Sequence, residues 1–94
     1  MKDTYDKMGI FSKKIFNKSD SVGHILKLKE EADEVINEPT DIIEYADCFL
    51  CLFAAAYKAG FSYEDITKAC EDKFKILKDR KWEISNSGLY QHIK

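Results

Sequence analysis

The stretch LKEEADEVINEPTDIIEYAD, residues 28–47, decides how this chain folds. It contains two acidic pairs, in which Glu31 precedes Glu34 by three positions and Glu44 precedes Asp47 by three. Because three residues make about one turn of an α-helix, each pair presents both of its carboxylates on one helix face. The two pairs therefore predict two acidic helix faces close together in the sequence.

The residues between the two pairs predict a turn. Pro39 disfavours a helical conformation for the residue before it, and Thr40 can cap a new helix. In the resulting helical hairpin, the inner acid of each pair lies about five residues from the turn and the outer acid about eight, so the pairs lie at similar heights. Four carboxylates that converge repel one another unless cations neutralise them, and hard oxygen ligands suit Mg²⁺ or Mn²⁺.

Apolar periodicity predicts about four helices, and the lack of strand-like alternation predicts an all-α bundle. We expect one domain over residues 1–94, with residues 1–18 as an N-terminal arm or short helix and residues 83–94 as a tail. The predicted helices are a short one over residues 3–17 with a break near Gly9, one from Asp20 or Ser21 to Asn37, one from Asp41 to Ala59 that ends at Gly60, and one capped by Ser62 that continues to about Lys81.

The predicted helix over residues 41–59 carries no charge between Asp47 and Lys58, and its apolar residues surround the helix axis. This pattern is typical of a helix that is buried on every side. Its two acids share a face with small residues, namely Cys48, Cys51, Ala54 and Ala55. That face either leaves a cavity beside the carboxylates or lets a second helix approach closely.

Bulk properties exclude several classes of function. With 15 basic and 17 acidic residues and a net charge of −2, the chain has no field that would attract duplex nucleic acid. Three cysteines and no secretory signal favour the cytoplasm, and the longest apolar run, residues 48–56, is too short to span a membrane. A 94-residue chain has a modest core, so we expect a homodimer.

Lys73 and Arg80 are seven residues apart and border the apolar stripe of the last predicted helix. Two cations near a metal-binding carboxylate group suit the binding of a polyphosphate. The alternative is that both side chains reach solvent or pair with acids.

Three further motifs have a functional and a structural interpretation. His24 lies seven residues before Glu31 on nearly the same face, where it either contacts a substrate or packs. Trp82 either stacks on a base or packs. Cys48 and Cys51 have zinc or redox spacing but lie inside a helix, so we interpret them as packed thiols.

The sequence resembles the MazG-like all-α nucleoside-triphosphate pyrophosphohydrolases. The resemblance covers roughly residues 20–93 and rests on HILKLKEEADE at 24–34, DIIEYAD at 41–47, Lys73, the segment from Arg80 to Trp82, and GLYQHI at 88–93. The last three features are similar to the phage and bacterial branch of dATP/dGTP pyrophosphohydrolases. The helical pattern alone does not distinguish Glu31 and Glu34 from Glu30 and Asp33, because both pairs have the same spacing. The position of the acidic residues in the family's motif favours Glu31 and Glu34.

The resemblance implies Mg²⁺-dependent hydrolysis of a nucleoside triphosphate to a monophosphate and pyrophosphate, with Mn²⁺ as the alternative ion. It implies that Glu31, Glu34, Glu44 and Asp47 hold the metal ions and that Glu31 or Glu34 activates the attacking water. It also implies that Lys73 and Arg80 bind the pyrophosphate. From the helical position of His24 and the aromatic ring of Trp82 we expect both residues to contact the substrate, and from the small size of the chain we expect a dimer or a tetramer.

One position departs from the family pattern. Where relatives often have an asparagine between the lysine and the arginine, this chain has Leu77, which cannot hydrogen-bond through its side chain. Because of Leu77, the alternative of a helical dimer that binds a nucleotide or a protein without turnover stays open. A separate alternative is a superfamily member acting on dUTP or phosphoribosyl-ATP.

Overall fold

In a computed structural model, which describes residues 1–93, the chain forms four α-helices followed by two short strands. The helices are α1 (Lys2–Ile15), α2 (Ser21–Asn37), α3 (Ile42–Lys58) and α4 (Tyr63–Asp79), and the strands are β1 (Trp82–Ile84) and β2 (Tyr90–His92). The four predicted helices are present. The strands were not predicted, because each has only three residues and gives no alternating pattern in the sequence.

The chain divides into two compact units, Met1–Tyr63 and a second unit that begins at Glu64. The first unit contains α1, α2 and α3, with α3 packed against both of the other helices. The second contains α4 and the two strands. The expectation of one domain stays a prediction.

The predicted break near Gly9 is wrong, because α1 is one continuous helix from Lys2 to Ile15. Gly9 is buried within it and faces the ring of Tyr57 on α3. Gly9 therefore allows α1 and α3 to pack closely, and it does not interrupt α1.

The helices of the hairpin begin and end at residues that cap them. Asp20 Oδ1 accepts a hydrogen bond from the Gly23 N–H at 2.8 Å and caps α2, which begins where the sequence predicted. The expectation that Thr40 caps α3 is wrong, since Asp41 Oδ1 accepts from the Ile43 N–H at 3.0 Å. After α3, Gly60 adopts a φ of 96°, a left-handed conformation that glycine tolerates without strain.

The core of the first unit lies between α1 and α3. Its buried apolar residues are Tyr5, Phe53, Ala54 and Ala55. The Tyr5 ring meets the Phe53 ring edge-on at 5.4 Å, and the Tyr5 hydroxyl donates to the Phe61 carbonyl at 2.7 Å. The buried alanines show that the small-residue face of α3 allows close helix packing along its C-terminal half.

The prediction that α3 is buried on every side is wrong for the single chain. Five of its large apolar residues are exposed, with exposed fractions from 43% to 78%: Ile42, Ile43, Tyr45, Phe49 and Leu52. The sequence correctly predicted apolar residues all around α3. In the single chain, however, α1 and α2 cover only one side of this helix and leave these apolar residues exposed.

In the second unit, the segment predicted as a tail forms an antiparallel hairpin in which Trp82 pairs with His92. Gly88, at a φ of 84°, forms the turn of this hairpin. The Trp82 indole N–H donates to the Leu77 carbonyl at 3.2 Å, which ties β1 to α4. Within residues 1–93, none of the helices is long and apolar enough to cross a membrane.

Candidate metal centre

Three of the four predicted carboxylates converge where α2 and α3 pack together. Glu31 on α2 and Glu44 and Asp47 on α3 each offer one oxygen, and these oxygens lie within 4.8 Å of one another. All three residues are half-buried. The arrangement follows from the helical hairpin, because its short turn brings the two acidic faces to the same height.

Glu34 is the fourth predicted ligand, and its carboxylate is not part of this close group of three. The residue is exposed on α2. It is nevertheless near the group, because its charge contributes to the raised pKa of Glu44. Glu34 thus lies at the edge of the acidic cluster.

The electrostatics of Glu44 indicate a site that favours cations. Its pKa is raised above the usual value, first by burial and then by the charges of Asp41, Glu34, Asp47 and Glu31. Carboxylates held together in this way repel one another, and a divalent cation between them removes the repulsion. An all-oxygen donor set fits Mg²⁺ or Mn²⁺ better than a soft metal.

Lys27 is a cation beside the cluster that the sequence reasoning missed. Its Nζ lies 3.5 Å from Glu31 Oε1 and 3.1 Å from Glu30 Oε2. The hydrogen bond to Glu30, followed by the charges of Glu30 and Glu31, raises the pKa of Lys27. The spacing of four residues between Lys27 and Glu31 is typical of a helical ion pair and was the available signal.

The structure also distinguishes the two acidic pairs of α2 that the helical pattern left equivalent. The Glu30 side chain is 72% exposed, whereas that of Glu31 is 18% exposed. Asp33 is exposed as well. Of the four acids, Glu31 is the one that joins the carboxylates of α3.

His24 lies at the N-terminal end of α2, and its side chain is buried with 6% exposure. Its ring packs against that of Phe16, with 6.1 Å between centroids. Burial lowers the pKa of His24, the charge of Lys58 lowers it further, and Asp20 opposes this shift. His24 is therefore a neutral imidazole near pH 7, and whether it contacts a substrate stays a prediction.

Cys48 and Cys51 are half-buried free thiols on α3. Burial raises the pKa of both, and the charge of Glu31 raises it further. A thiol with a raised pKa is a poor nucleophile and a poor metal ligand, because the thiolate performs both roles. This agrees with their interpretation as packed residues.

The other predicted substrate-binding residues belong to the second unit. Lys73 is exposed on α4, and Arg80 is half-buried just after the end of that helix. Trp82 is the first residue of β1 and is 41% exposed. Their roles in holding pyrophosphate or substrate stay predictions.

Comparisons with known proteins identify the family and the fold of this chain. The family model described as dATP/dGTP pyrophosphohydrolase matches residues 4–94. A solved structure of a MazG-like pyrophosphohydrolase from cyanophage S-2L is similar to this chain, with a TM-score of 0.81 and 26% identity, over 98% of this chain and 95% of that one. That phage protein was determined with dGDP and three catalytic Mn²⁺ ions per active site. No curated protein sequence matches the chain.

The family model spans nearly the whole chain, and the phage enzyme shares its helical fold over nearly the same length. The mostly helical architecture is thus the MazG-like all-α fold, and the acidic cluster lies within the matched residues. This chain belongs to the dATP/dGTP pyrophosphohydrolase family and is a nucleotide pyrophosphohydrolase.

Proposed function

We propose that the protein hydrolyses deoxynucleoside triphosphates, dATP and dGTP among them, to the monophosphate and pyrophosphate with Mg²⁺ as cofactor and Mn²⁺ as a substitute. The observation that carries the proposal is the convergence of Glu31, Glu44 and Asp47 from two helices within 4.8 Å. The family match and the dGDP bound by the similar phage enzyme support a deoxynucleotide substrate.

In this proposal the acidic residues of α2 and α3 bind the metal ions and activate the attacking water. Glu31, Glu44 and Asp47 hold the divalent ions, and Glu34 completes the ligand set from the edge of the cluster. Glu31 or Glu34 orients the attacking water and accepts its proton, a role that a positioned carboxylate can perform as a general base. Bound divalent ions supply charge neutralisation on the phosphate oxygens and lower the pKa of water.

Lys73 and Arg80 hold the pyrophosphate as it leaves, and Trp82 contacts the nucleotide. A guanidinium forms paired hydrogen bonds with phosphate oxygens, and an ammonium supplies a point charge. The carbonyl of Leu77 already accepts the Trp82 indole N–H, which fixes the orientation of that ring.

We further propose that two copies of the chain form a homodimer through the apolar side of α3, with a tetramer as the larger alternative. This side exposes Ile42, Phe49 and Leu52 among its residues, and exposed apolar side chains that lie together on one helix are typical of an interface between subunits. Light scattering after gel filtration should give twice the chain mass of 10.9 kDa. Phe49→Lys should shift the protein toward monomer.

The setting of this activity is also part of the proposal. We place the enzyme in the cytoplasm, where it acts on a phage or bacterial nucleotide pool. A net charge of −2 gives the chain no general attraction to duplex nucleic acid. Its partners are then the triphosphate substrate and a second copy of itself.

A pyrophosphate-release assay across the common dNTPs and NTPs tests the proposal. We expect turnover of dATP and dGTP with Mg²⁺, loss of turnover in EDTA, and loss in Glu34→Gln and Asp47→Asn with the circular dichroism spectrum unchanged. Asp33→Asn is the matched control, because it removes an exposed acid of α2 outside the cluster. Its turnover should remain within about twofold of the unmodified protein.

The same assay separates the alternatives. Preference for dUTP or phosphoribosyl-ATP would assign the chain to another activity of the superfamily. Release of no pyrophosphate from any nucleotide, together with retained nucleotide binding, would identify a silent binding protein. Leu77 is the feature that favours this second candidate, because its side chain cannot hydrogen-bond to a phosphate or sugar.

A further inference from the structure

A cavity of about 510 Å³ adjoins the acidic cluster in the first unit. Residues of α1, the α1–α2 connection, α2 and α3 line it, among them Met8, Phe16, His24, Leu26, Lys27 and Cys51. Its walls are mostly apolar with a few polar groups. Such a lining and volume are typical of small-molecule sites, which measure roughly 300–1,000 Å³.

His24 gives this cavity an unusual polar feature. Its Nε2 is buried and has no hydrogen-bond partner among residues 1–93. Burying a polar atom without a partner destabilises the folded state, so such atoms usually mark a missing water or ligand. A neutral imidazole nitrogen either accepts or donates a hydrogen bond, according to its tautomer.

The cavity and the carboxylate cluster share neighbours. Lys27 lines the cavity, and its Nζ lies 3.5 Å from Glu31 Oε1. Cys51 also lines the cavity, and the charges of Glu31 and Asp47 act on its thiol. A ligand whose phosphates lie at the carboxylates can therefore extend its other end into the cavity.

We propose that this cavity binds the nucleobase of the triphosphate and that His24 recognises the base through a hydrogen bond at Nε2. The inference rests on the proposed function and adds a location for the base. The apolar wall formed by Met8, Phe16 and Leu26 suits a flat heteroaromatic ring, because every base has an apolar face that packs on such groups. A heteroatom at the edge of the base completes the hydrogen bonding of His24.

A binding experiment without phosphates or metal tests the cavity apart from hydrolysis. Deoxyadenosine and deoxyguanosine are added to the unmodified protein in EDTA while NMR follows the imidazole C–H signals of its two histidines, His24 and His92. We expect a saturable shift of the His24 signal, little shift of the exposed His92, and none with 2-deoxyribose alone. A His24 signal that neither nucleoside moves would overturn the inference and leave a buried water as the partner of Nε2.

Kinetics provide the second test. His24→Gln should raise the KM for the preferred dNTP about tenfold and leave kcat within about twofold, because the lost contact is with the base and not with the reacting phosphate. Leu26→Trp should have a larger effect on KM, since it fills the cavity from an exposed position. Val22→Trp is the matched control, because Val22 is also exposed on α2 and does not line the cavity.

The two tests keep the inference separate from the proposed function. If no nucleotide is hydrolysed but deoxynucleosides still shift His24, the base site stands and the hydrolase proposal fails. If dNTPs are hydrolysed but neither His24→Gln nor Leu26→Trp changes KM relative to Val22→Trp, the hydrolase proposal stands and the base site is wrong.

Discussion

Gly9 of α1 packs directly against the Tyr57 ring of α3, so closely that a Cβ at position 9 would overlap the ring carbons Cγ and Cδ2. The Nζ of Lys13 lies over the face of the same Tyr57 ring, 5.2 Å from its centroid. On α1, the Tyr5 ring also packs near it, with 5.8 Å between the two centroids. Tyr57 therefore has little freedom to move away. The glycine lets α1 and α3 approach and fixes the position of the core aromatic residues.

Gly9→Ala should destabilise the protein by about 1–2 kcal/mol, although alanine is the better helix former by about 1 kcal/mol. The overlap with the Tyr57 ring forces a shift of two packed helices, and this costs more than the gain in helix propensity. Urea unfolding measures the difference. In a Tyr57→Leu background the same substitution should be neutral or stabilising, and equal effects in both backgrounds would contradict the packing argument.

Glu44→Gln should stabilise the protein in EDTA and abolish its response to Mg²⁺. Glu44 lies among the charges of other carboxylates, so a neutral amide removes repulsion when no cation is present. Differential scanning fluorimetry in EDTA should give a higher Tm for the variant, and added Mg²⁺ should raise the Tm of the unmodified protein alone. Turnover of the variant should fall at least about 100-fold.

The control for this experiment is Asp33→Asn, which removes one negative charge from α2 at an exposed position outside the cluster. We expect it to keep both the Mg²⁺ response and the Tm of the unmodified protein in EDTA. If Asp33→Asn and Glu44→Gln behave alike, the net charge of the chain, and not the cluster, would explain the stabilisation.

Lys27→Gln should tighten divalent-metal binding by up to about fivefold. The Lys27 ammonium lies 3.5 Å from Glu31 Oε1 and competes with a metal ion for that oxygen, but it is more than half exposed and water screens its charge. Titration of Mn²⁺ without nucleotide, followed by electron paramagnetic resonance, measures the affinity. Lys29→Gln, an exposed charge change on the same helix, should leave the affinity unchanged.

His24 should reduce the stability of the protein in mild acid. Its folded pKa lies below 6.5 because of burial and the Lys58 ammonium, with Asp20 opposing the shift. As the pH falls from 6.5 towards the folded pKa, the unfolded chain binds a proton that the folded protein does not, so the free energy of unfolding decreases. Below the folded pKa this contribution changes no further.

Urea unfolding of the unmodified protein and of His24→Gln at about pH 7.5 and pH 5.5 checks this sign. Every ionisable side chain other than His24 is present in both proteins, so the difference between the two reports on the histidine. The advantage of the unmodified protein over His24→Gln should shrink in acid. An advantage that grows in acid would mean that the folded state favours the charged imidazole.

Local rules predicted most of the first unit. Helix α2 begins after Asp20 and ends at Asn37 as expected, because a capping carboxylate and a proline near the turn act over only a few residues. The position of Gly60 after α3 was equally predictable. The convergence of Glu31 with Glu44 and Asp47 followed from the same hairpin, since helical rise alone places the acidic faces at one height.

Features that depend on contacts between distant residues were missed or misplaced. Gly9 looked like a helix break, and only the approach of Tyr57, 48 positions later, explains a glycine within a continuous helix. Lys27, by contrast, was missed although its spacing of four residues from Glu31 is a local signal, and the roles of Lys73 and Arg80 stay predictions. The hairpin of β1 and β2 left no sequence signal because three-residue strands have too few positions to alternate.

The sequence by itself determined four helices, the hairpin between α2 and α3, and the acidic residues that face each other across it, because helix periodicity and capping are local properties of the chain. Only the tertiary structure decided that Glu34 lies outside the close group, that Nε2 of His24 is buried without a partner among the described residues, and that a cavity adjoins the carboxylates. These features depend on how side chains from separate helices fill the space between them, and periodicity along one helix carries no record of that packing.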